Sequence, residues 1–225
     1  MLVYGKQSIN YLIEKHTDKI ETLFLAKEVE KKEYSRLMKM GFEVKRIPQD
    51  AANKISKSGN HQGYLAEVKD KEYIELSAIC TSSLVLVLND VTDVGNIGAI
   101  LRNAYALGVG GVVVCGLKQL NLEGIAKSSS GALFDIPLVL QNNIYDVINE
   151  LKLANYITYG AVLDGVDIRE AGVATKSALI IGSEGTGLHP RVIKKIDCPI
   201  TIKMENGFNS LNVASASAIL IDRMR

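Results

Sequence analysis

Three short segments combine glycines with amide, carboxylate, hydroxyl or guanidinium side chains, and each follows an apolar run. They are NDVTDVGNIGAILRNA after LVLVL, GSEGTGL after ALII, and MENGFNSLNVASASAIL after PITIK. An apolar run, a glycine-bearing loop and then a helix are typical of a nucleotide-binding turn. The Gly-x-Gly-x-x-Gly spacing is absent, however, and Arg102 falls within the helical part of the first segment. The question is which ligand such a loop holds and what the arginine contacts.

Each segment also has a purely structural interpretation. Glycines after a strand often serve only a turn, Ser210 is a suitable helix N-cap, and the small residues 214–218 suit close helix packing. Other catalytic motifs are absent from the sequence, including the phosphate-binding loop, the Gly-x-Ser-x-Gly elbow and zinc-ligand spacings. A single segment therefore decides little, and the three must be considered together.

The elements around these segments predict how they are positioned. Six apolar runs, LVLVL, GVVVCG, IPLVL, YITYGAVL, ALIIG and PITIK, are separated for the most part by helical segments, including 97–108, 143–154 and 211–224. Continuous apolar strands alternating with helices indicate a largely parallel sheet covered on both faces. Ligands of such sheets bind at the carboxyl ends of the strands, where the three segments lie.

Composition excludes several classes of protein. The 225 residues have a net charge of +1 and 47% hydrophobic residues, as expected for a globular protein. No apolar stretch approaches the roughly 18 residues of a membrane span, and the N-terminus lacks the apolar core of a signal peptide. Cys80, Cys115 and Cys198 are far apart, which predicts reduced thiols, and the three histidines are scattered, so no metal site is predicted.

Only one part of the chain has the local charge of a nucleic-acid contact. Residues 44–63, VKRIPQDAANKISKSGNHQG, carry Lys45, Arg46, Lys54 and Lys57 with few acids. Such a patch is expected to contact RNA phosphates. An ordinary solvated surface is equally compatible with the charge alone.

Jointly and in order, the three segments resemble a known family. Asn-x-Gly-x-x-x-Arg at 96–102, Gly-Ser-Glu-Gly-x-Gly-Leu at 182–188 and Ser-Leu-Asn-Val at 210–213 are similar to the motifs of the SpoU RNA 2′-O-ribose methyltransferases of the SPOUT superfamily. The likeness covers residues 83–222. HQGYLAEV at 61–68 resembles the segment that closes the small RNA-binding domain of the guanosine-2′-O-methyltransferases that modify 23S ribosomal RNA. SSSGALFDIPLV at 128–139 is similar to the family's Ser-Gly-Ala segment.

The resemblance implies an α/β protein of two domains. Residues 1–72 would form a small L30e-like α/β domain that binds the RNA substrate, residues 73–82 a linker, and residues 83–225 a SpoU methyltransferase domain with a parallel sheet and an α/β trefoil knot. The methyl donor would be S-adenosylmethionine. The protein would be a cytoplasmic homodimer with no membrane or metal partner.

The resemblance also assigns roles to individual residues. Gly182, Ile202 and Leu211 would contact the cofactor, and glycine at 182 would let the backbone come close to it. Arg102 would act on the ribose 2′-hydroxyl, with Asn96, Glu184, Ser210 and Asn212 orienting it, the ribose and the loops. The family's usual account makes the arginine a base, but a guanidinium holds its proton in proteins. The alternative role is a clamp on the RNA phosphate that also stabilises charge on the attacking oxygen, and the sequence is compatible with either role.

The predicted activity is 2′-O-methylation of a 23S ribosomal RNA guanosine, on naked RNA or a pre-ribosomal particle. A transfer-RNA ribose methyltransferase is the nearest alternative, since it shares the catalytic motifs but usually lacks the N-terminal domain. A non-catalytic RNA-binding or ribosome assembly factor with the same fold is a third interpretation, against which Arg102, Glu184 and Asn212 argue.

Overall fold

A computed structural model describes residues 1–57, 59–207 and 209–225. Its first seven elements alternate between sheet and helix. They are β1 (Leu2–Tyr4), α1 (Lys6–Lys15), β2 (Ile20–Leu25), α2 (Lys31–Leu37), β3 (Glu43–Arg46), α3 (Gln49–Ile55) and β4 (Tyr64–Val68). Helix α3 lies within the basic segment 44–63. Pro48, which ends the preceding strand, is its N-cap residue.

The rest of the chain continues the alternation, except that β8 and β9 follow each other without a helix between them. Its elements are α4 (Leu76–Ile79), β5 (Leu84–Asn89), α5 (Val94–Ala106), β6 (Gly111–Cys115), α6 (Leu122–Ser128), β7 (Leu138–Gln141), α7 (Ile144–Leu153), β8 (Ile157–Asp167), β9 (Ser177–Ile181), α8 (Pro190–Ile193), β10 (Cys198–Thr201) and α9 (Val213–Met224). Each of the six apolar runs overlaps one of the strands β5 to β10. Within the part of the chain that the structure describes, no helix combines the length and apolar character of a membrane span.

The chain folds into two compact units. The first comprises Met1–Lys71 and Asn121–Phe134, and the second comprises Glu72–Leu120 and Asp135–Arg225. This division differs from the predicted ranges in two respects. Residues 121–134 belong to the first unit, and residues 73–82 are not a plain linker, because α4 buries Leu76 and Ile79 in the core of the second unit.

The first unit is a four-stranded sheet in the order β1-β4-β2-β3. Strand β4 is antiparallel to β1 and β2, whereas β2 and β3 are parallel. The later segment joins this unit through specific contacts. Leu2 N–H donates to Oε1 of Glu123 at 3.0 Å, and Ser8 Oγ donates to the carbonyl of Ala126 at 3.3 Å. These long-range contacts carry no local sequence signal.

The second unit is a six-stranded, wholly parallel sheet in the order β10-β8-β9-β5-β6-β7. All six residues of β5 are buried, as are all five of β6 and of β9. The predicted parallel α/β sheet is therefore confirmed. The trefoil knot that the resemblance implies stays a prediction, with which this strand order is consistent.

The parallel sheet brings the three segments to one edge. The loops after β5 and β9 follow neighbouring strands, and the loop after β10 follows the strand beyond β8. Strand β8 bulges beside it: Gly160 pairs with Pro199 and Val166 with Ile200, so residues 161–165 loop out. The carbonyl of Leu163 in this bulge accepts a 3.0 Å hydrogen bond from Thr201 Oγ1. The loops after β5, β9 and β10 leave the carboxyl ends of their strands, where ligands bind in such sheets.

Candidate active site

Helix α5 positions the residues of the first segment. Its N-cap is Asp93, whose Oδ1 accepts a 2.7 Å hydrogen bond from Asn96 N–H and so satisfies one free amide of the first turn. The helix buries its apolar face through Ile97, Gly98, Ile100, Leu101 and Ala104. Asn96 therefore lies in the first turn at the carboxyl edge of the sheet. Arg102 follows almost two turns later on the exposed surface.

A chain of hydrogen bonds joins the three loops. Asn96 Nδ2 donates to Oε1 of Glu184, in the loop after β9. Asn96 Oδ1 in turn accepts a 3.0 Å hydrogen bond from Nδ2 of Asn212, in the loop after β10. The side-chain amide of Asn96 thus uses its donor on one loop and its acceptor on the other. Three residues that the sequence predicts as site residues are in direct contact.

Asn103 belongs to the same arrangement and is absent from the predicted site. It lies seven residues after Asn96, which places the two on one face of α5. Its Nδ2 donates to the carbonyl of Ala214 at 3.2 Å, at the start of α9. Two asparagines on one helix face therefore hold the start of α9. Their seven-residue spacing is the sequence signal that could have identified Asn103.

The start of α9 corrects one expectation. Asn212 is its N-cap residue, and its Oδ1 accepts hydrogen bonds from the amides of Ala214 at 2.9 Å and Ser215 at 3.3 Å. Ser210, the cap in the structural interpretation, precedes the helix and is exposed. It forms no hydrogen bond with the described residues of the network. Asparagine is at least as good a cap as serine, and only Asn212 is adjacent to the first helical residue.

The loop after β9 closes on itself. Gly187 N–H donates to the carbonyl of Ser183 at 2.9 Å, and Ser183 Oγ and Thr186 Oγ1 are 2.7 Å apart. A Cβ at Gly182 would lie 2.2 Å from the carbonyl carbon of Gly187 and 2.5 Å from the amide nitrogen of Leu188. The missing Cβ therefore makes room for the loop's own backbone. That is a different reason for glycine from a close approach to the cofactor.

Ile202 lines a cleft of about 130 Å³ at the carboxyl ends of β8 and β10. The other described lining residues are Asp167, Ile168, Arg169, Lys203, Ile219 and Arg223, so neither Gly182 nor Leu211 is among them. Arg169 Nη2 lies 2.5 Å from Oδ2 of Asp167. Hydrogen bonds from the Arg169 side chain and amide lower the pKa of Asp167 to about 2. Leu211 lies before α9 with 38% of its surface exposed.

The predicted site residues thus fall into two groups. Asn96, Glu184 and Asn212 are hydrogen-bonded, whereas the contacts described for Ser210, Gly182, Ile202 and Leu211 do not join that network. Arg102 lies on the same helix as Asn96, one residue before Asn103. Among residues 1–57, 59–207 and 209–225, no three histidine, cysteine, aspartate or glutamate side chains cluster as metal ligands do.

The predicted RNA-binding residues lie in the first unit and differ in their surroundings. Lys45 Nζ forms a 2.8 Å ion pair with Glu43, and its hydrogen bond lowers the pKa of that carboxyl. The guanidinium of Arg46 lies 4.4 Å from the centroid of the Tyr34 ring. Lys54 on α3 and Lys57 just after it are exposed. Two of the four cations therefore already have partners within the unit.

Two family models match the chain. The SpoU rRNA Methylase family matches residues 83–222, which include all three loops. A second family, described as RNA 2′-O ribose methyltransferase substrate binding, matches residues 2–74. Together they account for both predicted domains of the resemblance.

Individual proteins agree with these matches. A protein assigned to the TrmH family of tRNA/rRNA methyltransferases in Staphylococcus haemolyticus is 30% identical over 98% of this chain and 93% of its own. The 23S rRNA (guanosine-2′-O-)-methyltransferase RlmB of Vibrio cholerae is 27% identical over 98% of this chain and 94% of its own.

The fold is also that of a solved structure. The SpoU methyltransferase AviRb from Streptomyces viridochromogenes, crystallised with its cofactor AdoMet, superposes with a TM-score of 0.81. The superposition covers 100% of this chain and 88% of the AviRb chain, and the two sequences are 24% identical. The order of the three motifs, the sheet that gathers them and the family match over 83–222 lead to one conclusion: the chain belongs to the SpoU rRNA methylase family.

Proposed function

We propose that the protein transfers a methyl group from S-adenosylmethionine to a ribose 2′-oxygen of RNA, most specifically a guanosine of 23S ribosomal RNA. The observation that carries this proposal is the hydrogen-bonded chain Glu184–Asn96–Asn212. It fixes three loops relative to one another at the ligand-binding edge of the sheet, on the helix that also bears Arg102. Such mutual support is what a precisely positioned reaction requires.

The residues at this edge fit the cofactor. Adenine and a sulfonium-bearing side chain need backbone hydrogen bonds and apolar walls. Leu163 in the β8 bulge and Leu211 in the loop after β10, 71% and 38% exposed, provide apolar surface at this edge, and Ile202 is half-buried in its cleft. The cleft alone is too small for a whole cofactor, since small-molecule sites occupy roughly 300–1,000 Å³. Gly182, Ile202 and Leu211 would hold it jointly, and when bound it supplies an electrophilic methyl group.

Arg102 is proposed to act on the RNA. As the 2′-oxygen bonds to the methyl carbon, the carbon–sulfur bond of the donor would break and leave S-adenosylhomocysteine. The hydroxyl proton would pass to water if Arg102 is a clamp, or to Arg102 if it is the base, and negative charge develops on the oxygen as the proton leaves. A guanidinium holds five N–H donors in a planar fork and can contact both a backbone phosphate and this oxygen. Donors already aimed at developing charge lower the barrier. Asn96, Glu184 and Asn212 would be positioning residues, which keep α5 and its arginine in place, and Ser210 would contact the ribose.

Ribosomal RNA is favoured by the extent of the likeness to RlmB of Vibrio cholerae, which spans both units. The match to the substrate-binding family over residues 2–74 supports an RNA contact by the first unit. The relative in Staphylococcus haemolyticus is described with both tRNA and rRNA, so transfer RNA is kept as the alternative substrate. A ribosomal substrate, as naked RNA or a pre-ribosomal particle, would place the protein in the cytosol.

A homodimer is proposed by family resemblance. In α9 the small residues Ala214 and Ser217 are buried, together with Val213 and Leu220, and the helix packs on α5. Most of the α9 residues suited to a dimer contact are therefore already buried by packing within the second unit. Ile219, 38% exposed, is the large apolar side chain that α9 leaves for a partner. Light scattering at micromolar concentration should report twice the monomer mass; a monomer would refute this.

The substrate is tested by mapping ribose methylation. Ribosomal and transfer RNA are isolated from the host with and without the gene, and 2′-O-methyl positions are compared. One guanosine of 23S ribosomal RNA should lose its methyl group, and the purified protein should restore it with S-adenosylmethionine. A lost methyl group on transfer RNA would select the alternative substrate. Unchanged maps together with no transfer in vitro would support a non-catalytic role.

A further inference from the structure

The first unit contains a polar cavity of about 310 Å³ that the proposed reaction does not use. Its described lining residues are Lys27, Gln49, Asn53, Gly59, Asn60, His61, Gln62 and Gly63. None of these is acidic, and four carry a side-chain amide. A cavity of this composition offers many hydrogen-bond donors and one cation, and no carboxylate to repel an anion.

His61 forms the base of the cavity and fixes one of the amides. It is 3% exposed, and its Nδ1 accepts a 3.1 Å hydrogen bond from the amide of Gly63. A backbone amide can only donate, so Nδ1 is the acceptor of this bond and Nε2 is the ring nitrogen that carries a hydrogen. Nε2, 3.0 Å from Oδ1 of Asn53, therefore donates to it. The oxygen of Asn53 is thus engaged, and its Nδ2 is the group left for a ligand.

Gln62 is held in the same manner by the start of α1. Its Oε1 accepts a 3.0 Å hydrogen bond from the backbone amide of Lys6, at the start of α1. The side-chain oxygen is again used internally, which leaves Nε2 as a donor. Gln62 and Gly63 both have positive φ values, 53° and 81°, so the backbone turns sharply beneath these two amides.

Lys27 supplies positive charge at the wall. Its side chain lies against Gly63, where a Cβ would be 2.7 Å from Cγ of the lysine. Its ammonium group is 4.6 Å from the centroid of the Tyr64 ring. The exposed Lys54 follows Asn53 directly on α3, and Lys57 follows that helix. Cations therefore occur both in the cavity and on the helix that lines it.

We propose that this cavity binds one unpaired nucleotide of the RNA substrate, with the amides of Asn53 and Gln62 on the base edge and Lys27 on a neighbouring phosphate. Proteins read RNA sequence mainly on single-stranded nucleotides whose bases are splayed out, and side-chain amides match the edges of bases. A cavity near the lower end of the size range for small-molecule sites suits a single nucleotide. The inference rests on the proposed function, since it takes RNA as the substrate.

Two isosteric variants replace the donors that face the ligand with a carboxylate oxygen. Asn53→Asp keeps the oxygen that accepts from His61, and Gln62→Glu keeps the oxygen that accepts from Lys6. Asn10→Asp on α1 is the matched control, because it makes the same exchange and adds the same charge outside the cavity. Binding of the full-length variants to fluorescent single-stranded homopolymers of each base, and to a duplex of equal length, is measured by anisotropy. Methyl transfer to ribosomal RNA is measured in parallel.

The wild-type protein should prefer single strands to the duplex. Asn53→Asp and Gln62→Glu should each weaken single-strand binding by about tenfold, the effect of one good base contact. Asn10→Asp should stay within about twofold. Lys27→Gln should reduce the slope of log affinity against log salt by about 0.7.

Binding of both cavity variants at the level of Asn10→Asp, or equal binding of duplex and single strands by the wild type, would overturn the proposal. Methyl transfer separates this failure from that of the proposed function. If the wild type methylates RNA while the cavity variants bind RNA normally, only the proposal about the cavity fails. If the wild type transfers no methyl group but the cavity variants bind RNA about tenfold more weakly, the cavity is an RNA-binding site and the proposed reaction is wrong.

Discussion

Asn212 Nδ2 donates to Asn96 Oδ1 at 3.0 Å, so the residue that caps α9 also holds the first turn of α5. Asn212 Oδ1 accepts from two amides of α9 at the same time. One side chain therefore links the starts of two helices that follow different strands of the sheet. The amide of Asn96 extends this link to Glu184.

The link between Asn96 and Glu184 can be tested by exchanging donor and acceptor. Asn96→Asp keeps the acceptor for Asn212 but places a carboxylate opposite Glu184, so we expect weaker methyl transfer and a less stable protein. Adding Glu184→Gln restores a donor to the new carboxylate and should recover part of both. Because aspartate in a first helical turn is itself favourable, the coupling between the two changes is the quantity to measure. It should be on the order of 1 kcal/mol in a denaturation cycle.

Additive effects of the two substitutions would contradict this arrangement. Ser183→Ala, in the same loop as Glu184, is the control for general damage to the loop. It should show no coupling with Asn96→Asp, since its hydroxyl contacts Thr186 instead.

Gly182 and Gly185 should respond very differently to alanine. The Cβ of Gly182→Ala meets the backbone of residues 187 and 188, so we expect a loss of about 1–3 kcal/mol in stability and weaker cofactor binding. A Cβ at Gly185 has no neighbour within 4 Å among the described residues, so Gly185→Ala should change stability by less than about 0.5 kcal/mol. Chemical denaturation and calorimetry measure the two effects. Equal stability of both variants would show that the loop does not close as described.

The exposed lysines after β3 should contribute more to RNA binding than Lys45. Lys54→Gln with Lys57→Gln should reduce the salt slope of single-strand binding by about 1.4, as expected for two lost phosphate contacts. Lys45→Gln should reduce it less, because Lys45 is paired with Glu43. Lys31→Gln with Lys32→Gln on α2 is the charge-matched control. A slope that depends only on the number of lysines removed would argue against a localised patch.

The contact between Asp167 and Arg169 predicts a pH dependence. The pKa of Asp167 is about 2 in the folded protein, below its ordinary value of 3.8. Protons therefore bind the unfolded chain first, and the contact stabilises the fold above about pH 4. This stabilisation is lost as pH falls toward 2. In an NMR titration of the Asp167 carboxyl carbon, the midpoint should lie near 2 and rise toward the ordinary value in Arg169→Gln.

Two results would contradict this: an ordinary midpoint in the wild type, or no change in Arg169→Gln. Arg225→Gln provides the control. It breaks an ion pair with Asp222 that is half-exposed on both sides and should leave the Asp167 titration unaltered.

The sheet of the second unit could be predicted because its signal is local. Each of the strands β5 to β10 overlaps an apolar run of the sequence, and a parallel sheet buried on both faces needs such runs. Once these strands are parallel, the loops after β5, β9 and β10 must share an edge. The ordered motifs then identified the family, which the match over residues 83–222 confirms.

The contacts within the site could not be predicted in the same way. Either Asn96 or Arg102 could form the hydrogen bond with Glu184, depending on how α5 is rotated about its axis. The spacing along the chain does not determine that rotation. Glycine is needed at 182 because the loop folds back and places the backbone of Gly187 and Leu188 against it. These residues are five and six positions away in the sequence. The place of residues 121–134 in the first unit depends on contacts such as Ser8 with Ala126.

The role of Arg102 distinguishes two mechanisms. Arg102→Lys keeps the charge but loses the planar fork, so a phosphate and oxygen clamp should recover little activity. If the residue instead accepts the proton, the lysine can deprotonate more readily, and activity should return as pH rises. A pH profile of methyl transfer by Arg102→Lys decides between them.

The most direct test of the central claim is methyl transfer to RNA by the wild type and Arg102→Ala, with labelled S-adenosylmethionine and 23S ribosomal RNA. The wild type should methylate a ribose 2′-oxygen. Arg102→Ala should be slower by roughly 10²–10³, the cost of one stabilising donor, while calorimetry shows nearly unchanged cofactor affinity. A methyl group on a base, or turnover by Arg102→Ala close to that of the wild type, would contradict the account.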